Sequence, residues 1–242
     1  MKGFLLSLFL SVSIVGTSQL TTGSAWASTS ISYRISDFTL GLEEGIRFTE
    51  ADLNQTYSDV SVKYKINKYL RTGFTWRNSQ KNGFLDATRI DNRFSGDIIG
   101  RYKKKKILTF IRLRYQSKYK DWFVSKNGHL PDSYVRTKLG FRYSLRKKMS
   151  LETAAESYYA FKNEANYINR YRIYFGVSYQ IKKQHAVELN YIYQSETQEA
   201  NPEAGHILSL SYSYDLNAAL KKRRKRKKKL DKKRKEGKEP AN

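Results

Sequence analysis

The sequence predicts an all-β protein: an antiparallel up-and-down transmembrane β-barrel of about ten strands, followed by a disordered basic tail. Apolar and polar residues alternate with period two in one segment after another, the pattern of strands that have one apolar face. The connections between these segments are alternately short and long. The chain has 19 Tyr and 12 Phe, too aromatic a composition for disorder, and it has no Cys, which excludes disulfides and Cys-bound metals.

The chain divides into three parts. Residues 1–27 are a predicted signal peptide: Lys2 precedes an apolar stretch too short to span a bilayer, and Ala25, Trp26 and Ala27 form a small-x-small cleavage site before Ser28. No later stretch reaches about 18 apolar residues, which excludes a helical membrane protein. Residues 28–216 then form the predicted barrel and residues 217–242 the disordered basic tail.

The first five predicted strands begin at residue 38. Glu44 places a charge on the apolar face of the first strand, and Asn92, Gly96 and Gly100 interrupt the fourth, which has the weakest pattern. The apolar positions that define these strands are, in order, Phe38 to Phe48, Val60 to Ile66, Leu70 to Trp76, Ile90 to Tyr102 and Ile107 to Tyr115.

The last five predicted strands repeat the pattern more clearly. In the final strand, Ser209, Ser211 and Ser213 separate apolar residues, so one face is small and polar and the other is apolar. The apolar positions of these strands are Val135 to Leu145, Met149 to Phe161, Tyr171 to Ile181, Val187 to Tyr193 and Leu208 to Leu216.

The connections predict how the strands are arranged. Short connections lie near residues 67–68, 103–106, 146–148 and 182–184, and longer polar ones lie at residues 49–56, 78–88, 117–133, 162–169 and 195–205. With an even number of strands, every short turn lies at one end of the barrel, together with both termini. Bacterial outer-membrane barrels have this layout, with short periplasmic turns. We therefore expect the outer membrane, with the N- and C-termini in the periplasm.

Alternation alone does not decide which face points outward, because a soluble barrel has its apolar face inside. The type of charge favours the membrane barrel: Lys gathers in the short turns, whereas the polar faces of the strands contain Arg, whose planar fork suits confined networks with carboxylates. The predicted lumen-lining residues are Arg71, Arg77, Arg93, Arg101, Arg112, Arg114, Arg136, Arg142, Arg170, Arg172, Asp91, Asp97, Glu152, Glu156 and Glu188.

Tyrosines near the ends of the predicted strands fit the aromatic girdles of a membrane barrel. They are Tyr57, Tyr102, Tyr115, Tyr143, Tyr159, Tyr179, Tyr193 and Tyr214.

The predicted function is a structural or binding role with a narrow, Arg-rich lumen. The first alternative is a small anion-selective channel, because rings of Arg attract anions and repel cations. A second alternative is a hydrolase at the rim, with His129 or His206 beside Asp132, Asp86 or Glu203. No catalytic motif fixes such a geometry, so we expect no enzyme, no catalytic residue, no metal and no cofactor.

The tail is a separate basic unit. From Lys221 to the end it has 14 Lys or Arg and three acidic residues. Its predicted polyanion-binding residues are Lys221, Lys222, Arg223, Arg224, Lys225, Arg226, Lys227, Lys228 and Lys229. Besides outer-membrane lipid around the barrel, we expect anionic lipid or cell-wall polymer as the tail's partner. Nucleic acid is disfavoured because an exported chain does not meet a chromosome, although a soluble barrel with a polyanion-binding tail stays an alternative.

Several segments together resemble a known family. They are YSDVSVKYKINKYLRTGFTWRN, RIDNRFSGDI, IRLRYQ, RTKLGFRYSLRKKMSLETAAESYYAF, NRYRIYFGVSYQIKKQHAVELNYIYQ and LSLSYSYDL, and the likeness extends over residues 38–216. The chain resembles an uncharacterised family of Bacteroidetes outer-membrane proteins, the domain of unknown function numbered 2490. The resemblance implies a β-barrel in the outer membrane and no particular activity. The basic extension after Leu216 departs from the family pattern, in which the chain ends near the last strand.

Overall fold

The chain forms a closed β-barrel of eleven strands in the computed structural model, which describes residues 21–49, 52–81, 89–120, 132–161, 167–197 and 204–220. The prediction of an all-β barrel is confirmed. The strands are β1 (Thr21–Ile35), β2 (Phe38–Thr49), β3 (Asp52–Lys65), β4 (Leu70–Lys81), β5 (Arg89–Lys104), β6 (Ile107–Lys120), β7 (Asp132–Arg146), β8 (Met149–Phe161), β9 (Tyr167–Lys182), β10 (His185–Glu196) and β11 (Ala204–Asp215).

The predicted number of ten strands is wrong because β1 adds an eleventh. Strands adjacent in sequence pair in antiparallel fashion, and β1 closes the barrel by pairing with β11 in parallel, so that Ala27 lies opposite Leu210. An odd strand count requires this parallel closure. The N-terminal end of β1 therefore lies opposite Ala204, whereas β11 ends at the other end of the barrel. The expectation that both termini leave the barrel at the same end is consequently wrong.

β1 escaped the sequence pattern because its outward positions are small. Gly23, Ala25 and Ala27 lie on the same face as Ile31, so only the second half of the strand alternates between apolar and polar residues. The cleavage site predicted before Ser28 lies inside β1, and the domain boundary placed there divides the strand. Residues 1–20 lie outside the described part of the chain.

The two ends of the barrel differ in their connections. The end that we name the turn end has the tight connections at residues 36–37, 66–69, 105–106, 147–148 and 183–184. Ser36 and Lys105 have positive φ angles of 53° and 52°, as tight hairpin turns require. The opposite end, the loop end, has the connections at residues 50–51, 82–88, 121–131, 162–166 and 197–203. The long connection predicted at residues 49–56 is wrong, because β2 and β3 continue to within two residues of each other.

The outward surface of the barrel is apolar and its interior is polar. Phe175, Ile98 and Leu208 are 57%, 55% and 54% exposed, and all three point outward. In contrast, Asp91, Asp97 and Glu156 are at most 3% exposed and point inward. This distribution is the reverse of a soluble barrel, which buries its apolar face.

Glu44 and Tyr57 are two of the residues that break the alternation. Glu44 lies on the outward face, where the Ser58 hydroxyl donates a 2.6 Å hydrogen bond to its carboxylate. Tyr57, predicted as part of an outward girdle, points into the lumen, where its ring lies above Gly45 and its hydroxyl donates to Glu43. A Cβ at residue 45 would lie 2.2 Å from the Tyr57 ring, so Gly45 makes room for this inward tyrosine.

A helical turn at residues 216–220 follows β11 and is hydrogen-bonded to the last residues of β1. The Asn217 side chain accepts a hydrogen bond from the Arg34 backbone N–H and donates one of 2.7 Å to the Arg34 carbonyl. Asn217 thereby extends the pairing of β1 beyond the end of β11. No helix among the described residues has the length and apolar character needed to cross a membrane. The predicted polyanion-binding residues of the tail lie outside the described residues.

Candidate functional site

The lumen contains a cavity of about 490 Å³ that extends from the middle of the barrel toward the loop end. All eleven strands contribute side chains to its wall. Among the described residues, eleven cationic side chains line it but only two carboxylates, Glu43 and Glu188. The cations are Arg47, Arg77, Lys81, Arg93, Arg112, Arg114, Lys118, Arg136, Lys138, Arg170 and Arg172.

Glu156 on β8 is the centre of an ion-pair network that lies behind the side chains lining the cavity. Its side chain is fully buried and accepts hydrogen bonds from Arg112 Nη2 at 2.8 Å and from Arg136 Nη2 at 3.0 Å. The Tyr174 hydroxyl donates a further bond of 2.6 Å. One carboxylate from β8 thus connects β6, β7 and β9 across the lumen.

Other cations pair with carboxylates on neighbouring strands. Arg77 binds Asp59 through two bonds of 2.5 and 2.6 Å, and Arg114 binds Asp97 through two bonds of 2.6 and 2.7 Å. Such fork-to-carboxylate pairs fix both side chains strongly. Lys118 Nζ lies 3.1 Å from Asp91. These ion pairs hold adjacent strands together on the lumen side of the barrel.

Toward the turn end, the lumen is filled by a second group of side chains. Glu152 accepts bonds from Arg142 at 2.5 Å and lies 3.7 Å from Lys138. Phe110 also points inward, and its ring lies so close to Gly140 that a Cβ there would be 2.4 Å from it. Apolar and ion-paired side chains therefore occupy the lumen between the cavity and the turn end.

A chain of stacked Arg and aromatic side chains runs along the cavity wall. Each guanidinium carbon in it lies 3.8 to 5.2 Å from the centre of a neighbouring ring. The order is Arg77, Tyr57, Arg47, Trp26, Arg172, Tyr158 and Arg136. Cation–π contact holds each guanidinium in place without neutralising its charge.

Three arginines of the wall have no carboxylate partner among the described residues. Arg47 donates to the Gln55 side-chain oxygen at 3.1 Å, and Arg172 donates to Gln194 at 2.8 Å and to the Tyr158 hydroxyl at 2.5 Å. Arg93 makes neither an ion pair nor a side-chain hydrogen bond within the described part of the chain, and its buried Nε has no partner. The cavity wall thus carries uncompensated positive charge.

The predicted lumen residues occupy several positions in this arrangement. Arg77, Arg93, Arg112, Arg114, Arg136, Arg170, Arg172 and Glu188 line the cavity, and Asp91, Asp97, Glu152 and Glu156 pair with lining cations. Arg142 binds Glu152 below the cavity. Arg71 and Arg101 lie nearer the turn end and do not contribute to the cavity wall.

Sequence reasoning missed the aromatic residues of the site. Trp26 fell within the predicted signal peptide, and Tyr57 was assigned to the outward face. Tyr158 and Tyr174 share the parity of Glu156 and Arg172 on their own strands, so strict parity identifies both as inward residues. The signal that finds them is therefore their phase relative to the charged residues.

Of the rim residues proposed for hydrolysis, only the side chain of His206 lies within the described part of the chain. His206 points outward, where its Nδ1 lies 2.5 Å from the Tyr191 hydroxyl and its ring stacks against the tyrosine. His129, Asp86 and Glu203 lie outside the described residues, as does the side chain of Asp132. Among the described residues, no three His, Asp or Glu side chains are grouped to hold a metal ion.

The comparisons with known proteins give one family and several barrels. The family model described as "Protein of unknown function (DUF2490)" matches residues 23–204, and no curated protein matches the chain. The fold is similar to that of OmpT, an outer membrane protein of Vibrio cholerae, in a loop L8 deletion mutant: identity is 15%, the TM-score is 0.43, and the match covers 76% of this chain and 60% of that one. This chain thus matches less than two thirds of that protein's length.

Two further solved structures are similar. A bacterial polysaccharide outer membrane secretin has 8% identity and a TM-score of 0.43, with 75% of this chain and 74% of that chain covered. The β domain of the Bordetella autotransporter BrkA has 13% identity and a TM-score of 0.41, with 76% and 86% covered.

Proposed function

The chain belongs to the family of proteins of unknown function DUF2490, and we propose that it is an integral outer-membrane β-barrel with a structural or binding role and a narrow, Arg-rich lumen. The expected resemblance to this family is confirmed by the match over residues 23–204. The single observation that carries the proposal is the inverted polarity of the barrel. Of the described residues, 42 large hydrophobic or Tyr side chains are exposed, whereas only seven hydrophobic residues are buried.

Such a surface is incompatible with water. Soluble monomers rarely expose a contiguous apolar patch of more than about 600 Å², and this apolar surface surrounds the barrel. In a bilayer the same side chains face hydrocarbon, while every strand still pairs on both edges, which removes unsatisfied backbone groups. The inward ion pairs stay away from lipid. The apolar outward surface and the closed sheet thus both support a lipid bilayer as the surroundings of the barrel.

Flotation with lipid vesicles tests this proposal. Full-length protein refolded into vesicles should float with them after a carbonate wash and should migrate differently on gels before and after boiling. The boiled sample of the same preparation is the internal control for folding. A folded protein that stays monodisperse in buffer without detergent would show that the outward face does not contact lipid.

A second candidate function is a small anion-selective channel, favoured by the eleven cations against two carboxylates in the cavity wall. Phe110 and the pair of Arg142 with Glu152 occupy the lumen toward the turn end, which favours binding over free passage. Planar-bilayer recordings under a KCl gradient separate the two. Steady conductance with a reversal potential set by chloride would establish the channel, and the absence of steps from vesicles that contain folded barrel would establish a closed lumen.

The basic tail leaves the barrel at an end that is itself basic. Lys105, Lys106, Lys147, Lys148 and Lys183 are exposed in the short turns at the turn end, where β11 ends. This charge supports anionic lipid or cell-wall polymer as the tail's partner. Removal of residues 221–242 should abolish salt-sensitive binding to anionic vesicles while the barrel stays folded. Unchanged binding after the deletion would assign the attraction to the turns alone.

A further inference from the structure

Arg93 on β5 is a charge without a local partner among the residues that the structure describes. Arg77 lies directly opposite it in the β4–β5 register, so two like charges are neighbours on the same face. The nearby carboxylates are already engaged, Asp59 by Arg77 and Asp91 by Lys118. Like charges placed opposite each other destabilise a sheet, and a charge out of water costs free energy unless it is paired.

Arg47 on β2 presents a second such charge. Its guanidinium lies 4.2 Å from the centre of the Trp26 ring and 5.1 Å from that of Tyr57, and its Nη1 donates to the neutral Gln55. Its buried Nε has no hydrogen-bond partner among the described residues. The two rings fix the plane of the fork but leave its positive charge in place.

Arg172 on β9 completes the set from across the lumen. Its hydrogen bonds go to Gln194 and Tyr158, which are both neutral, and Trp26 lies between it and Arg47. Arg47 repels Arg172, and Arg93 repels Arg47, so the three charges act on one another within the cavity. All three guanidinium groups therefore line the same cavity.

From this geometry we propose that the cavity binds a small oxyanion with at least two negative charges, held by Arg47, Arg93 and Arg172. The planar fork of Arg matches the oxygens of phosphate and carboxylate groups in two-bond contacts. A volume of about 490 Å³ holds a molecule of the size of a small phosphorylated or polycarboxylate metabolite. The wall is mostly polar, which selects a hydrophilic ligand over an acyl chain.

Aromatic stacking gives the site its preorganisation. Because rings rather than carboxylates position Arg47 and Arg172, the side chains are fixed before the ligand arrives and their charge is still available to it. Arg136 and Arg114, by contrast, form ion pairs with Glu156 and Asp97, and these pairs hold neighbouring strands of the barrel together. The inference rests on the binding role of the proposed function, but the site lies inside the barrel and exists whether or not the outward face contacts lipid.

Thermal unfolding of the full-length protein, folded in detergent, tests the site with inorganic pyrophosphate as the probe. At constant ionic strength, pyrophosphate should raise the unfolding temperature saturably, while chloride at the same ionic strength should not. Arg93→Gln should weaken pyrophosphate binding at least about tenfold, since it removes charge-assisted bonds to the anion. Arg146→Gln, an exposed arginine at the turn end, is the matched control and should bind as the unchanged protein does.

A reversal in the order of the unfolding temperatures of Arg93→Gln and the unchanged protein distinguishes an anion-binding arginine from a structural one. Without anion, Arg93→Gln should unfold at a higher temperature than the unchanged protein because it removes an unpaired charge, and with saturating pyrophosphate the order should reverse. If Arg93→Gln does not fold, Arg172→Gln is measured in its place. The proposal is overturned if pyrophosphate stabilises no better than chloride, or if the Arg93 or Arg172 variant binds it as tightly as Arg146→Gln does. Flotation of the same samples reports membrane insertion separately, so failure of one proposal is not mistaken for failure of the other.

Discussion

Replacement of Glu156 by Gln should be the most damaging conservative change in the barrel interior. The carboxylate is fully buried and pairs with Arg112 at 2.8 Å and with Arg136 at 3.0 Å. The amide retains a similar shape and still accepts a bond from the Tyr174 hydroxyl, but it carries no charge. Both guanidinium groups are then left without a carboxylate, and the new amide N–H groups face further donors.

The magnitude follows from the contacts that are lost. A hydrogen bond to a charged group contributes about 1.5–3 kcal/mol, and the substitution weakens two such pairs. Breaking a buried ion pair by removal of one partner costs about 3–5 kcal/mol, which agrees with that estimate. We therefore expect Glu156→Gln to lower the free energy of unfolding by about 3–5 kcal/mol.

Glu188→Gln is the matched control, because it makes the same chemical change in the same lumen. The carboxylate of Glu188 accepts one hydrogen bond, of 2.8 Å, from Asn190. Its replacement should cost less than about 1 kcal/mol. Urea titrations of vesicle-folded protein, followed by tryptophan fluorescence and by gel mobility, measure both values. Equal losses in the two variants would refute the assignment of Glu156 as the centre of the network.

Three further outcomes are expected. Leu139→Arg, in the middle of β7, should destabilise the vesicle-folded barrel by about 2–4 kcal/mol, whereas Leu145→Arg, on the same face near the turn end, should cost less than about 1 kcal/mol; equal costs in urea titrations would contradict lipid contact. Glu44→Leu should raise stability in vesicles by up to about 2 kcal/mol, because it removes a charge from the outward face, and a loss of stability would instead point to a bound cationic partner. Intact mass measurement of protein from outer-membrane fractions should show that processing occurs before Thr21, since β1 and the Trp26 contacts need residues 21–27; a mature chain that begins at Ser28 would contradict this.

Much of the fold was readable from the sequence because one physical rule acts along each strand. Outward positions such as Phe175 and Leu210 are apolar and exposed on the same surface, so the alternation is repeated and the phase of each strand is clear. The rule fails where the outward side chain is small, as at Ala25 and Ala27 in β1, because hydropathy then no longer separates the two faces. The direction of Tyr57 is not predicted correctly for another reason. A tyrosine fits either face of a strand, and only Gly45 opposite it leaves room for the ring inside the barrel.

The pairing inside the lumen was less predictable than the lining itself. Which carboxylate meets which arginine depends on the register between strands, and single-residue shifts occur after Arg47 and after Tyr158. Each bulge adds one residue to a strand and so reverses which parity faces outward: Leu53 and Val60 in β3 are both exposed although one is odd-numbered and the other even-numbered. The sequence therefore identifies Arg93 and Arg77 as inward residues. It does not show that Asp59 pairs with Arg77 and that Arg93 has no carboxylate partner among the described residues.

The parallel contact between β1 and β11 also determines the order in which the barrel is completed. Ser28 and Ser211, whose hydroxyls lie 3.0 Å apart across this contact, are 183 residues apart, whereas His185 and Tyr212 on the adjacent hairpin are 27 apart. Because each doubling of loop length costs about 0.6 kcal/mol in chain entropy, this closure is about 1.5–2 kcal/mol less favourable than that of the hairpin. We therefore expect the nascent sheet to grow hairpin by hairpin and to join its two edges last.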